Sequence, residues 1–98
     1  MIVVRNTFHI RPGQMKQALE LARAGRPIVE RLNFGVPRFL TDVTGEFYTL
    51  VLETQFDSLG DFEMRISRNF EDPEWQAWYR QFTAVMRGGR REIFRVVE

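Results

Sequence analysis

The stretch DPEWQAWYRQFTAVMRGG, Asp72–Gly89, decides the fold. Asp72 is a good N-cap, because its carboxylate accepts from the free N–H groups of a first helical turn. Pro73 follows at the first helical position, where its missing N–H costs nothing. Trp75, Trp78, Tyr79, Phe82, Val85 and Met86 recur at steps of three and four, which is one face of a helix. Gly88-Gly89 supplies a left-handed stop, so the helix is predicted to run up to that pair. A helix this apolar on one side needs a sheet to lie on.

Outward from that helix, Arg90–Val97 (RREIFRVV) reads as the last strand. On the other side, Ser58-Leu59-Gly60-Asp61 is a capping-box pattern, a Ser with an acid three residues on. It opens a helix through about Arg68, with Leu59, Phe62 and Ile66 inward, and Asn69–Asp72 is a short break. Val36–Thr44 (VPRFLTDVT) and Phe47–Phe56 (FYTLVLETQF) read as strands joined at Gly45-Glu46 in a tight hairpin. Pro37 suits an edge strand, where the lost N–H faces solvent. Tyr48, Leu50, Leu52, Thr54 and Phe56 share one face of the later strand; Phe47, Thr49, Val51, Glu53 and Gln55 share the other.

Gln14–Asn33 is helical, with Met15, Ala18, Leu19, Ala22, Val29 and Leu32 inward. Gly25 and Pro27 predict a kink or a broken last third. Ile2–Ile10 (IVVRNTFHI) is the first strand and ends at Arg11-Pro12-Gly13. Ile2, Val4, Asn6, Phe8 and Ile10 point one way, while Val3, Arg5, Thr7 and His9 point the other.

The order is β-α-β-β-α-β, an α+β ferredoxin-like sandwich. Right-handed crossovers set the first strand between the third and the fourth in an antiparallel sheet, with the helices on one face. With 98 residues the chain is a single domain, residues 1–98, with one core.

Composition narrows the chemistry. The chain is 44% hydrophobic and 28% charged, with net charge +1, no Cys and one His. Disulfides, thiolate nucleophiles and Cys metal sites are excluded, no His/carboxylate spacing suggests a metal, and no cofactor is implied. The Arg residues are dispersed, which gives no reason for a nucleic-acid partner. Arg87, Arg90, Arg91 and Arg95 read as a helix C-terminus and a solvated strand edge, with a phosphate site as the alternative. No apolar run approaches the ~20 residues of a membrane span, and Met1 leads straight into a strand. A cytoplasmic home is the expectation.

Helices cover one sheet face. The other shows Val3, Arg5, Thr7, Phe47, Thr49, Val51 and Glu53, with Ile93 or its neighbours from the last strand. Phe47 and Val51 make that face too apolar for water. The simplest cover is a second copy of the sheet, so a homodimer through those residues is expected.

NTFHIRPGQMKQAL together with EDPEWQAWYRQF resembles the NIPSNAP-like branch of the dimeric α+β barrel proteins over nearly the whole chain. The resemblance implies ferredoxin-like units whose sheets pair into a barrel. The same superfamily includes antibiotic-biosynthesis monooxygenases, haem-degrading enzymes and binders of small hydrophobic ligands, so the fold alone does not fix the chemistry. Haem-degrading members carry an Asn on the first strand, a Trp at the end of the third and an iron-ligating His on the second helix. Asn6 matches the first, Phe56 stands in place of the second, and Ser58–Gly89 contains no His.

The candidate site is the layer between sheet and helices, bounded by Asn6, Phe8, Tyr48, Phe56, Trp75, Trp78 and Tyr79. Asn6 is either a hydrogen-bond handle for a ligand or a satisfied buried amide. The aromatics are either pocket wall or core. His9, the residue that titrates near neutrality, has Arg5 and Glu53 as expected neighbours. A His–Glu pair is a catalytic candidate; an Arg5–Glu53 ion pair inside the dimer is the structural alternative. Two functions follow. One is a non-catalytic homodimer that binds a small apolar or aromatic ligand, or serves as an interaction module. The other is a cofactor-independent monooxygenase with Asn6 orienting the substrate and His9 or a Tyr assisting. A cavity of ~300 Å³ or more beside Asn6 is the size both pocket readings call for.

Overall fold

The computed structural model describes residues 1–98. The elements are β1 (Ile2–Ile10), α1 (Met15–Arg31), β2 (Arg38–Thr41), β3 (Thr49–Phe56), α2 (Leu59–Glu71), α3 (Pro73–Ala84) and β4 (Met86–Arg95). The sheet order is β2-β3-β1-β4 with every neighbouring pair antiparallel. This is the ferredoxin-like α+β arrangement, with the second helical segment divided into α2 and α3 at Asp72.

Local chemistry fixes the helix starts. Ser58 caps α2 by accepting from the Asp61 N–H at 3.1 Å. The Asp72 carboxylate accepts from the Trp75 N–H at 2.9 Å and also from Arg31 at the end of α1 at 2.8 Å. The Arg31 bond, then the Trp75 N–H, hold the Asp72 carboxyl below its ordinary range. One side chain thus starts α3 and ties it to α1.

Several boundaries depart from the sequence reading. Helix α2 runs to Glu71, so Asn69, read as part of a break, is helical. Helix α3 stops at Ala84, not at the glycine pair. Its terminal carbonyls are taken by Arg11, whose backbone N–H donates to Val85 at 2.9 Å and whose Nε donates to Ala84 at 3.3 Å. Gly88 and Gly89 belong to β4, beside a bulge where the β1 pairing jumps from His9↔Gly88 to Ile10↔Met86. The β2–β3 connection is not a tight Gly45-Glu46 turn but a loop over residues 42–48, closed by Asp42 Oδ1 accepting from the Thr49 N–H at 2.9 Å. Helix α1 runs unbroken through Pro27. Pro27 and Arg23, whose carbonyl loses its helical donor, are both exposed, so solvent takes that bond.

The core forms two clusters on the helix-covered side. Ile10, Ala18, Leu50, Phe82 and Val85 pack beneath α1 and α3, and Ile2, Val4, Phe56 and Phe62 pack beneath α2. The stripe expected of Asp72–Gly89 is inward, with Trp75, Phe82 and Val85 buried. Leu59, expected inward, is exposed at the start of α2.

The bare face is banded, and the Arg5–Glu53 ion pair expected on it is formed. Register places Arg38, Glu53, Arg5 and Glu92 in one row across the four strands. Glu53 accepts from Arg5 and from Arg38, each at 2.7 Å. Val3 and Phe94 lie on one side of this row, with Arg5 5.1 Å from the Phe94 ring; Leu40, Val51, Thr7 and Arg90 lie on the other. Ile93 pairs with Val4 and so belongs to the helix side. Phe47 is off the strand, in the 42–48 loop, and 76% exposed.

Candidate functional site

Between the two core clusters lies a cavity of about 90 Å³. Its floor is sheet: Val4, Asn6 and Phe8 from β1, with Leu52, Thr54 and Phe56 from β3. Its roof is helical: Ala22, Gly25 and Val29 from α1, Phe62, Ile66 and Asn69 from α2, and Trp75, Trp78, Tyr79 and Phe82 from α3. The α3 aromatics are ordered by mutual contact. Trp75 stacks on Tyr79 at 4.6 Å and Trp78 on Phe82 at 5.3 Å, and the Trp78 indole N–H donates to the Leu21 carbonyl at 2.7 Å. Gly25 makes room for that indole, since a Cβ there would stand 2.5 Å from the ring.

Polar groups in the wall are few. Asn6 Oδ1 accepts from Arg91 Nε at 2.8 Å, and the Arg91 guanidinium lies 5.3 Å from the Phe62 ring. Arg26 sits over Phe39 at 5.9 Å. Asn69 is buried, and neither its oxygen nor its nitrogen makes a hydrogen bond within the chain. No carboxylate, imidazole or Lys lines the cavity.

The predicted site residues separate into two groups. Asn6, Phe8, Phe56, Trp75, Trp78 and Tyr79 come together around the cavity. Tyr48 does not; it precedes β3 at a positive φ of 61°, half-exposed, its ring 6.1 Å from Phe47. His9 is on the opposite face of the sheet from Asn6, and its strand neighbours are Thr49 and Gly88, not Glu53. Its nearest carboxylate is Glu46, 3.5 Å from Nδ1. The expected His9–Glu53 pair is absent because register sets His9 opposite Thr49 and Glu53 opposite Arg5, four residues further along β3. His, Asp and Glu form no group of three or more placed to hold a metal ion.

Sequence reasoning missed Asn69, Arg91 and the packing role of Gly25. Asn69 continues the Phe62, Ile66 spacing of α2 by three residues, which is the signal that would have placed it inward. Arg91 follows once β1 and β4 are paired in register.

The Arg38 and Arg5 bonds hold the Glu53 carboxyl below its ordinary value of 4.5. A carboxyl whose folded pKa is depressed stabilises the fold above its unfolded pKa, and that contribution fades as pH falls through the folded value. Glu53→Gln is therefore expected to cost about 1 kcal/mol at pH 7. The gap from wild type should narrow below about pH 4.5. Thermal unfolding from pH 7 to pH 2.5 measures this, and a gap that is constant with pH would refute it.

A ferredoxin-like sandwich with an apolar, aromatic-walled cavity between sheet and helices is the class that fold and site define. The sequence profile of the NIPSNAP family matches residues 4–98, so the chain belongs to that family. A NIPSNAP family protein from Agrobacterium tumefaciens is 22% identical, with 95% of this chain and 82% of that one aligned at a TM-score of 0.87. An uncharacterised NIPSNAP domain protein from Burkholderia xenovorans is 19% identical over 99% and 95% of the two chains, TM-score 0.91. SnoaB, a cofactor-independent oxygenase from Streptomyces nogalater, is similar in fold at 11% identity, 99% and 93% coverage and a TM-score of 0.75. No curated protein sequence matches the chain. No helix is long and apolar enough to cross a membrane.

Proposed function

We propose that this NIPSNAP chain is a homodimeric binder of a small, mostly apolar molecule, held between sheet and helices. The observation that carries the reading is the cavity beside Asn6, where Trp75, Trp78 and Phe56 share a wall with buried Asn69. Its size bounds the ligand. About 90 Å³ is well under the ~300 Å³ of an ordinary ligand pocket and below the ~150 Å³ of a cavity that holds a benzene ring. One small ring or a short branched chain is the upper limit; a polycyclic aromatic does not fit.

The same wall weighs against the monooxygenase reading. Proton transfer needs a group of matched pKa within reach of the substrate, and no carboxylate, imidazole or Lys lines the wall. His9, on the far side of the sheet, cannot assist a molecule beside Asn6.

Dimerisation through the bare face is supported by Leu40 and Phe94, 41% and 44% exposed, on either side of the Glu53 ion row. Two copies meeting there would bury those side chains and keep Glu53 paired with its own arginines. Cyclopentane titrated into the protein should change Trp75 and Trp78 fluorescence saturably, and sedimentation equilibrium at micromolar concentration should give the dimer mass. A linear, non-saturating response overturns the binder, and a monomer mass overturns the dimer.

A further inference from the structure

Asn69 occupies a place in α2 where an apolar residue would serve folding better. Its side chain is 1% exposed, it follows Phe62 and Ile66 on the inward stripe, and it lines the cavity. Asn is also a poor helix former, because its amide competes for backbone hydrogen bonds. Both its oxygen and its nitrogen are unpartnered, and His9 Nδ1, on the far face, is the one other buried side-chain atom in that state. A buried amide left unpaired is costly, so such a group is a candidate for a role that folding does not explain.

We propose that Asn69 reads a neutral ligand with an adjoining donor and acceptor, a primary amide or a lactam. This rests on the small-ligand reading above and adds the polar chemistry to it. An amide pairs with an amide through two N–H···O bonds, which satisfies both free atoms of Asn69 at once. A carboxylate does not, since it offers no proton to Asn69 Oδ1. A simple ketone uses only the Asn69 N–H. The other amide in the wall is already engaged, because Asn6 Oδ1 accepts from Arg91. The apolar remainder of the wall then suits a compact hydrocarbon ring attached to that amide.

The test uses three five-membered rings of matched size: 2-pyrrolidone, cyclopentanone and cyclopentane. Each is titrated into the wild-type protein and into Asn69→Leu, followed by Trp fluorescence and, in the wild type, by the Asn69 side-chain NH₂ resonances. The expected result is at least tenfold tighter binding of 2-pyrrolidone than of cyclopentane by wild type, with cyclopentanone between. Asn69→Leu should reverse that order and, without ligand, unfold at a higher temperature. Equal preferences in the two proteins would overturn the Asn69 assignment and leave the apolar binder standing. Saturable binding of cyclopentane with none of 2-pyrrolidone would mean that water satisfies Asn69, which also overturns it. No saturable binding of any ring removes both readings. The wild-type NH₂ shifts decide the matter without the variant: movement with 2-pyrrolidone and little with cyclopentane supports the assignment, and no movement with either rejects it.

Discussion

Gly89→Ala is expected to destabilise the protein by about 3 kcal/mol, at the upper end for adding one methyl group to a packed site. Gly89 pairs with Phe8 across β1 and β4, and a Cβ built on it overlaps the Thr7 carbonyl oxygen and comes within 3.3 Å of the Phe8 Cα. The obstruction is backbone, so no rotamer change relieves it. Nor can β1 withdraw, because Thr7 and Phe8 are paired on their other side with Val51 and Leu50 of β3. Relief must come from moving β4, which breaks ladder bonds and shifts Arg91 away from Asn6. For a chain of this size each kcal/mol lowers Tm by roughly 4–8 °C, so the expected fall is on the order of 12–24 °C. Gly60→Ala is the control. Its nearest atom is 3.9 Å away, on Ser58, and α2 should gain up to about 1 kcal/mol in helix propensity. Thermal and urea unfolding of both variants measure this, and Gly89→Ala within ~0.5 kcal/mol of wild type would mean that the strands are not in this register.

Gly89 also shows where the sequence is ambiguous. A Gly-Gly pair after an apolar helical stripe looks the same whether it ends the helix or lets two strands approach closely. Only the β1 partner distinguishes the cases, and that partner is far away in sequence. The other elements announced themselves because their signals are local. Asp72-Pro73 with its aromatic spacing, Ser58 with Asp61, and the alternation of Ile2–Ile10 each depend on residues within a few positions. The sheet order followed from chain topology. The parity of β4 did not, because neither strand alone carries the register: Ile93 meets Val4 on the helix side, while its neighbours Glu92 and Phe94 take the bare face. On the bare face the expected Arg5–Glu53 ion pair is formed; Arg38 and Glu92 join its row only after the registers of β2 and β4 are set. For the site, six of the aromatic and polar residues expected around Asn6 do line one cavity. Its volume is a packing property, fixed by how Gly25 admits Trp78, and no single-residue signal carries it.

That contact supports the second large effect. Trp78→Ala is expected to cost about 3 kcal/mol, the lower end of the range for deleting a large aromatic, because the indole is partly buried. Trp78 stacks on Phe82, donates to the Leu21 carbonyl of α1, and lines the cavity against Gly25, so its removal also loses the α1–α3 bond. Without the indole, the cavity of about 90 Å³ should grow past the ~150 Å³ at which a benzene ring is held. Benzene at about a hundred times its Kd should then restore roughly 2.7 kcal/mol to the variant, and at the same concentration wild type, with the smaller cavity, should gain less. Gly25→Ala sharpens the argument by changing sign. In wild type the new Cβ meets the indole at 2.5–2.8 Å and the substitution destabilises. In Trp78→Ala that obstacle is gone, and replacing a mid-helix Gly should instead stabilise α1 by up to ~1 kcal/mol. Urea unfolding of the four proteins in this cycle measures the coupling directly. If Gly25→Ala destabilises both backgrounds equally, the glycine is not there to admit Trp78, and the cavity wall must be held in place by something else.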